Sequence, residues 1–185
     1  MKRDSLKLYF VAIVPEEPIY SEVLAYKTEF RDRYNSVAAL RSPPHITLYM
    51  PFQWKEEKEE QLLSSLNNLA SLHQSFKLSL ENFGAFPPRV IYINVKESDA
   101  LNSVQKATHR NAATNWHIYP QPNSRPFIPH MTIAFRDLKK PLFTQAWQDF
   151  EQRKYSREFT VNNLSLLKHN GKTWDVLHQA DLSLH

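Results

Sequence analysis

A short strand-like stretch that occurs twice constrains this chain more than any other feature. Pro44-His45-Ile46-Thr47-Leu48-Tyr49-Met50 returns as Pro129-His130-Met131-Thr132-Ile133-Ala134-Phe135. Side chains alternate across a strand, so His45, Thr47 and Tyr49 are expected on one face and Ile46, Leu48 and Met50 on the other. In the second copy His130, Thr132 and Ala134 lie opposite Met131, Ile133 and Phe135. Each copy therefore sets an imidazole and a hydroxyl two residues apart on a strand whose other face is core. A single such pair is ordinarily a structural histidine. Two independent strands, each with a proline as its entry signal, would leave the repeated polar pair unexplained, whereas a common ligand accounts for it.

The spacing of the rest supports a duplication within one domain, 1–185. The expected elements are a strand at 6–14, a helix at 19–34, a loop to Pro44, the first motif strand, a helix at 56–72 and a strand opening at Phe76. After a loop at 83–88 the order returns: a strand at 89–95, a helix from Ser98, a loop to Pro129, the second motif strand, a helix at 141–152 and a strand at 159–167. The histidines are 85 positions apart and Phe76 and Phe159 are 83 apart, so pseudo-repeats are expected at about 6–83 and 89–167. His169-Asn170-Gly171-Lys172 signals a hairpin turn into a closing C-terminal strand. Related halves of this kind can face one another across a cleft, which would let both histidines reach one phosphate.

Composition narrows the chemistry. The absence of cysteine excludes disulfides, thiolate nucleophiles and Cys-based zinc sites. The two glycines, Gly84 and Gly171, cannot form a Gly-rich phosphate cradle, so any phosphate must be held by side chains. A net charge of +4 suits an anionic substrate but is too small for nonspecific nucleic-acid coating. The apolar run after Lys2 and Arg3 is short, alternates with polar residues and lacks a small-residue cleavage site, so it reads as a strand and not a signal peptide. No run approaches the roughly 18 apolar residues of a membrane helix, and the expectation is a cytoplasmic protein with no membrane partner.

These residues resemble the two-histidine (2H) phosphoesterase superfamily, which includes bacterial 2′-5′ RNA ligase-like cyclic phosphodiesterases. Arg41-Ser-Pro-Pro-His45-Ile-Thr47-Leu is similar to the first motif of that group, and Phe127-Ile-Pro-His130-Met-Thr132-Ile-Ala to the second; the strand Arg89–Val95 also fits. The resemblance implies a bilobal α+β fold, with two antiparallel-type sheets flanked by helices around a central cleft. It further implies His45 and His130 as the acid/base pair and Thr47 and Thr132 as phosphate-binding residues. Ligase-like members often have an arginine directly after the alanine of the second motif. This chain has Phe135 there and Arg136 one place later, on the face of His130 if the strand stays regular.

The leading reading is a metal-independent, cofactor-free phosphodiesterase, expected as a monomer, that hydrolyses or reversibly ligates a nucleotide or RNA end with a 2′,3′-cyclic phosphate or 2′-5′ linkage. Two imidazoles with an ordinary pKa of about 6.5 can supply a base and an acid near neutrality, with an activity bell expected at roughly pH 6–8. Arg41 and Arg125 precede the histidines and either gather the phosphate or are exposed loop charges. Tyr49, Phe52 and Phe86 either stack a base at the cleft mouth or pack in the core. The other histidines, at 73, 109, 117, 169, 178 and 185, lack the Thr partner and read as surface or structural. The alternative is a noncatalytic module of the same fold that binds nucleotide or RNA phosphate. A metallohydrolase is the poorer reading, because no carboxylate or further histidine accompanies His45 or His130 at ligand spacing.

Overall fold

A computed structural model describes residues 5–119 and 126–184. Arg125, one of the expected substrate-binding residues, lies outside them. The first half of the chain gives β1 (Leu6–Ile13), α1 (Ile19–Tyr34), a 3-10 turn (Ala38–Arg41), β2 (Ile46–Lys55), α2 (Glu59–Ser71) and β3 (Phe76–Phe86). The second gives β4 (Val90–Val95), α3 (Asp99–Asn115), β5 (His130–Ala134), α4 (Lys140–Phe150), β6 (Ser156–Val161), β7 (Asn163–His169) and β8 (Trp174–Asp181).

The strands form one sheet in the order β6-β3-β4-β5-β2-β1-β7-β8, with every named neighbour antiparallel. Within the sheet order the two halves of four strands adjoin at β2 and β5, where a single pair, Ile46 with Met131, is in register. The expected two sheets are thus two antiparallel halves made continuous by one rung. Because the strands part on either side of that rung, the halves open into two lobes with a cleft between them.

Amphipathic helices cover the outer face of each lobe, as their apolar spacing requires. On α2, Leu62, Leu66, Leu69 and Ala70 are buried; on α4, Phe143, Ala146 and Phe150 are. Ser98 caps α3, its hydroxyl oxygen accepting from the Leu101 amide at 3.2 Å. Tyr26 of α1 and Phe150 of α4 both pack on Phe83 of β3, with ring centroids 5.1 Å apart in each case. Trp116, at the end of α3, stacks on Phe52 of β2 at 5.4 Å. Arg153 links α1 to α4 by ion pairs of 2.7 Å to Glu29 and to Asp149.

Three local features depart from the sequence reading. Residues 83–86, expected in a loop, continue β3, with Gly84 opposite Tyr92 on β4. Gly84 serves close packing and not a turn, because a Cβ there would lie 2.5 Å from Tyr92 Cε2. The single strand expected at 159–167 is two strands. It breaks at Asn162, where the chain leaves β3's side in one lobe for β1's side in the other. Finally, β2 is bulged. Thr47 pairs with Ala12 and Tyr49 with Val11, so Leu48 is an extra residue, and a second extra residue lies between Tyr49 and Phe52. The alternation shifts accordingly: Tyr49 turns into the core at 5% exposure while Met50 is 68% exposed.

Candidate active site

The rung between β2 and β5 fixes the site. Ile46 and Met131 face each other and are fully buried, so the residues flanking them point to the opposite, cleft face. In an antiparallel register one step to either side of this rung sets His45 against Thr132 and Thr47 against His130. Two imidazoles and two hydroxyls are therefore brought together around a local twofold. The histidines are diagonal neighbours, a relation that separates backbones by roughly 7–8 Å and leaves both side chains able to reach one small group. Both threonines are partly exposed, and among the described residues no protein group holds either hydroxyl.

The imidazoles are oriented in the same way. His45 Nδ1 lies 2.8 Å from the Pro43 carbonyl oxygen and His130 Nδ1 lies 2.7 Å from that of Ile128, each reaching back across a proline to the residue two positions earlier. A carbonyl can only accept, so Nδ1 carries the proton and Nε2 of the neutral ring presents its lone pair. Burial pushes His45 down to about 4, with the Lys27 ammonium and His130 acting in the same direction and the Pro43 carbonyl opposing them. His130 is also held below the ordinary imidazole range, chiefly by burial, against the Ile128 carbonyl. In the ligand-free protein burial thus favours the neutral form of both rings.

Aromatic rings pack against both histidines. Phe10 of β1 lies 4.9 Å from the His45 ring and 4.7 Å from Trp174 of β8, which in turn meets His169 at 4.9 Å. On the other lobe Tyr92 and Phe86 approach the His130 ring at 5.1 and 5.2 Å. Asn94, paired with His130 across β4 and β5, shares the face of Tyr92. Tyr92 and Asn94 have room to lie there because Gly84 has no side chain. Gly84→Ala is expected to destabilise the fold by about 1–3 kcal/mol, the usual cost of an added methyl in a filled space. Denaturant unfolding measures it, and an unchanged midpoint would show that Tyr92 moves aside freely.

The remaining expected residues are scattered. Phe86 stands beside His130 and can meet a ligand. Tyr49 and Phe52 cannot stack a base at the cleft mouth, because the bulges of β2 turn both into the core; the Tyr49 hydroxyl donates to the Ile118 carbonyl at 3.2 Å. Arg41 is exposed at the end of the 3-10 turn that leads to His45. Arg136 does not continue the face of His130: β5 ends at Ala134, Arg136 has φ 63°, and its guanidinium lies over the Phe135 ring at 5.2 Å. Among the described residues, no three His, Asp or Glu side chains converge as a metal site would require. The sequence reading missed Phe10, Tyr92 and Trp174, whose only signal was an apolar side chain on the less buried face of a strand.

The fold is a bilobal one with both motif strands at its centre, and comparison with known proteins gives the family. The sequence model of the 2′-5′ RNA ligase superfamily matches residues 15–173, and the chain belongs to that superfamily. It is 26% identical over 173 residues to a candidate phosphoesterase of Shouchella clausii, spanning 91% of this chain and 94% of the relative. The structure is similar to that of TT0787 from Thermus thermophilus (TM-score 0.69, 22% identity, 95% of this chain and 97% of that one). It is also similar to E. coli LigT complexed with 3′-AMP (TM-score 0.66, 22% identity, 97% and 99%).

Proposed function

We propose that this protein is a metal-independent phosphodiesterase that opens RNA-type 2′,3′-cyclic phosphates or cleaves 2′-5′ linkages by acid–base catalysis between His45 and His130. The observation that carries this reading is the Ile46–Met131 rung, whose register supports a common site for the two imidazoles and Thr47 and Thr132. The LigT structure with 3′-AMP supports a nucleotide ligand for the same fold.

In this mechanism a phosphodiester sits between the two Nε2 atoms. One neutral imidazole takes a proton from an attacking water as its oxygen bonds to phosphorus. The opposite imidazolium gives a proton to the departing ribose oxygen as its bond to phosphorus breaks. One water is added in total and no group is left on the protein. Thr47 and Thr132 donate to the nonbridging oxygens as charge gathers there. Of the neighbouring rings, the partly exposed Phe86 and Trp174 offer flat apolar surfaces to a base or ribose, while the buried Phe10 and Tyr92 pack against the imidazoles and keep water from them.

The acid must first acquire a proton, and the perturbed imidazoles decide where. Because burial lowers both rings in the free protein, the kcat/KM bell is expected on the acid side of pH 6.5 and not at the 6–8 of ordinary imidazoles. A bound phosphodiester anion favours imidazolium, so the kcat bell is displaced to higher pH than the kcat/KM bell. Both limbs belong to the coupled pair. A pH series with a 2′,3′-cyclic nucleotide measures this, and a kcat/KM optimum above pH 7 would contradict it. The activity itself is tested by incubation with 2′,3′-cyclic nucleotides and a 2′-5′-linked dinucleotide, with products separated by phosphate position. Binding of the nucleotides without turnover would favour the noncatalytic module.

A further inference from the structure

Lys27 occupies the buried stripe of α1, between Val23 and Phe30, and is 1% exposed. A methionine or leucine would fill that position without taking a charge out of water. Among the described residues no carboxylate pairs with the ammonium, which instead donates to the carbonyl oxygens of Ala39 and Ser42, each at 3.0 Å. Those carbonyls bracket the exit of the Ala38–Arg41 turn, and the chain then runs through Pro43 and Pro44 directly into His45. Asp137, just beyond β5, holds the other end of the turn. Its carboxylate accepts from the amides of Val37 and Ala38 at 2.8 and 2.9 Å and from the Ser36 hydroxyl at 2.7 Å. The turn is thus clamped at its N–H end by a carboxylate and at its C=O end by an ammonium. The two prolines leave little freedom between the clamp and the Pro43 carbonyl that orients the His45 ring.

We propose that Lys27 is a positioning residue for His45: its ammonium fixes the Ala39–Ser42 backbone from which the imidazole hangs and sets a positive charge behind the ring. The role in turnover rests on the proposed function, but the action on His45 does not. The charged and titratable groups acting on His45 are Lys27 from α1 and His130 from β5, while Phe10 of β1 faces the ring without charge. Burial lowers Lys27 to about 7, so it remains charged throughout the range in which His45 titrates.

The test is an NMR titration of His45 in the ligand-free protein, for wild type, Lys27→Met, Lys27→Gln and Lys27→Arg, with thermal melts and kcat/KM measured in parallel. Lys27→Met removes both charge and donors, whereas Lys27→Gln keeps a donor and removes only the charge. In both neutral variants the His45 midpoint is expected to rise from about 4 toward the ordinary range, and in Lys27→Arg it is expected to stay low. In Lys27→Met, kcat/KM is expected to fall by about 10–100-fold, the scale of a small misplacement of a reacting group, with partial recovery in Lys27→Arg. If Lys27→Met does not fold, Lys27→Gln decides the titration. An unchanged His45 midpoint in a folded neutral variant would overturn the proposal, as would a lowered melting temperature with an unmoved midpoint, which marks a merely structural lysine. Absence of turnover in the wild type would refute the proposed function while leaving the titration able to judge Lys27.

Discussion

His45→Ala and His130→Ala are each expected to lower turnover of a 2′,3′-cyclic nucleotide by about 10²–10⁴-fold, the contribution of one positioned acid or base. The effect should be nearly pure in rate. Both rings stand at the cleft face of their strands, and the core residues beside them, Ile46 and Met131, remain in place. Each substitution removes one ring and its contact with a backbone carbonyl, at Pro43 or Ile128, which solvent at the cleft can satisfy. Circular dichroism and thermal melts should therefore change little while activity collapses. In the residual activity one limb of the pH profile should flatten: loss of the acidic limb marks the base and loss of the alkaline limb marks the acid. Near-native turnover in either variant would remove the pair from the mechanism.

The second large effect is expected at the threonines. Thr47→Val and Thr132→Val keep the branched shape on the strand and delete the hydroxyl. Removing one donor aimed at developing charge lowers kcat by about 10²–10³-fold in sites of this kind. Thr→Ser at either position keeps the donor and should recover most of the rate, which separates hydrogen bonding from packing. The register makes the two sites equivalent, Thr47 against His130 and Thr132 against His45, so comparable losses are expected from both. A valine variant with unaltered kcat would show that backbone or solvent, and not this hydroxyl, holds the phosphate oxygens.

The parts of this arrangement that were legible in the sequence are those governed by local period. Alternation on the two motif strands placed His45, Thr47, His130 and Thr132 opposite a buried face, and helical spacing located all four helices within a few residues. Tyr49 was misplaced because a bulge changes the period without any glycine to announce it; the second extra residue falls at Met50-Pro51, where the strand simply continues. The crossing of the chain between lobes at Asn162 was not legible either, since which strand pairs with which is decided by long-range packing. Gly84 looked like a turn residue because its reason for being glycine is Tyr92, on the next strand. The burial of Lys27 on α1 was not legible, since its carbonyl partners are supplied by residues 39 and 42, outside the helix. Arg136 followed the alternation on paper, but β5 ends two residues before it.

The central claim is that two imidazoles on adjoining strands act on one phosphodiester without a metal. Its most direct measurement mixes purified protein in excess chelator with a 2′,3′-cyclic nucleotide and resolves the products by phosphorus NMR, for wild type, His45→Ala and His130→Ala. The two-histidine mechanism predicts that the wild type opens the ring to a single nucleoside monophosphate, with the phosphate on one ribose oxygen, while both variants leave the cyclic phosphate essentially intact over the same time. A wild type that opens the ring only when a divalent metal is restored, or a histidine variant that opens it at the wild-type rate, would contradict that mechanism.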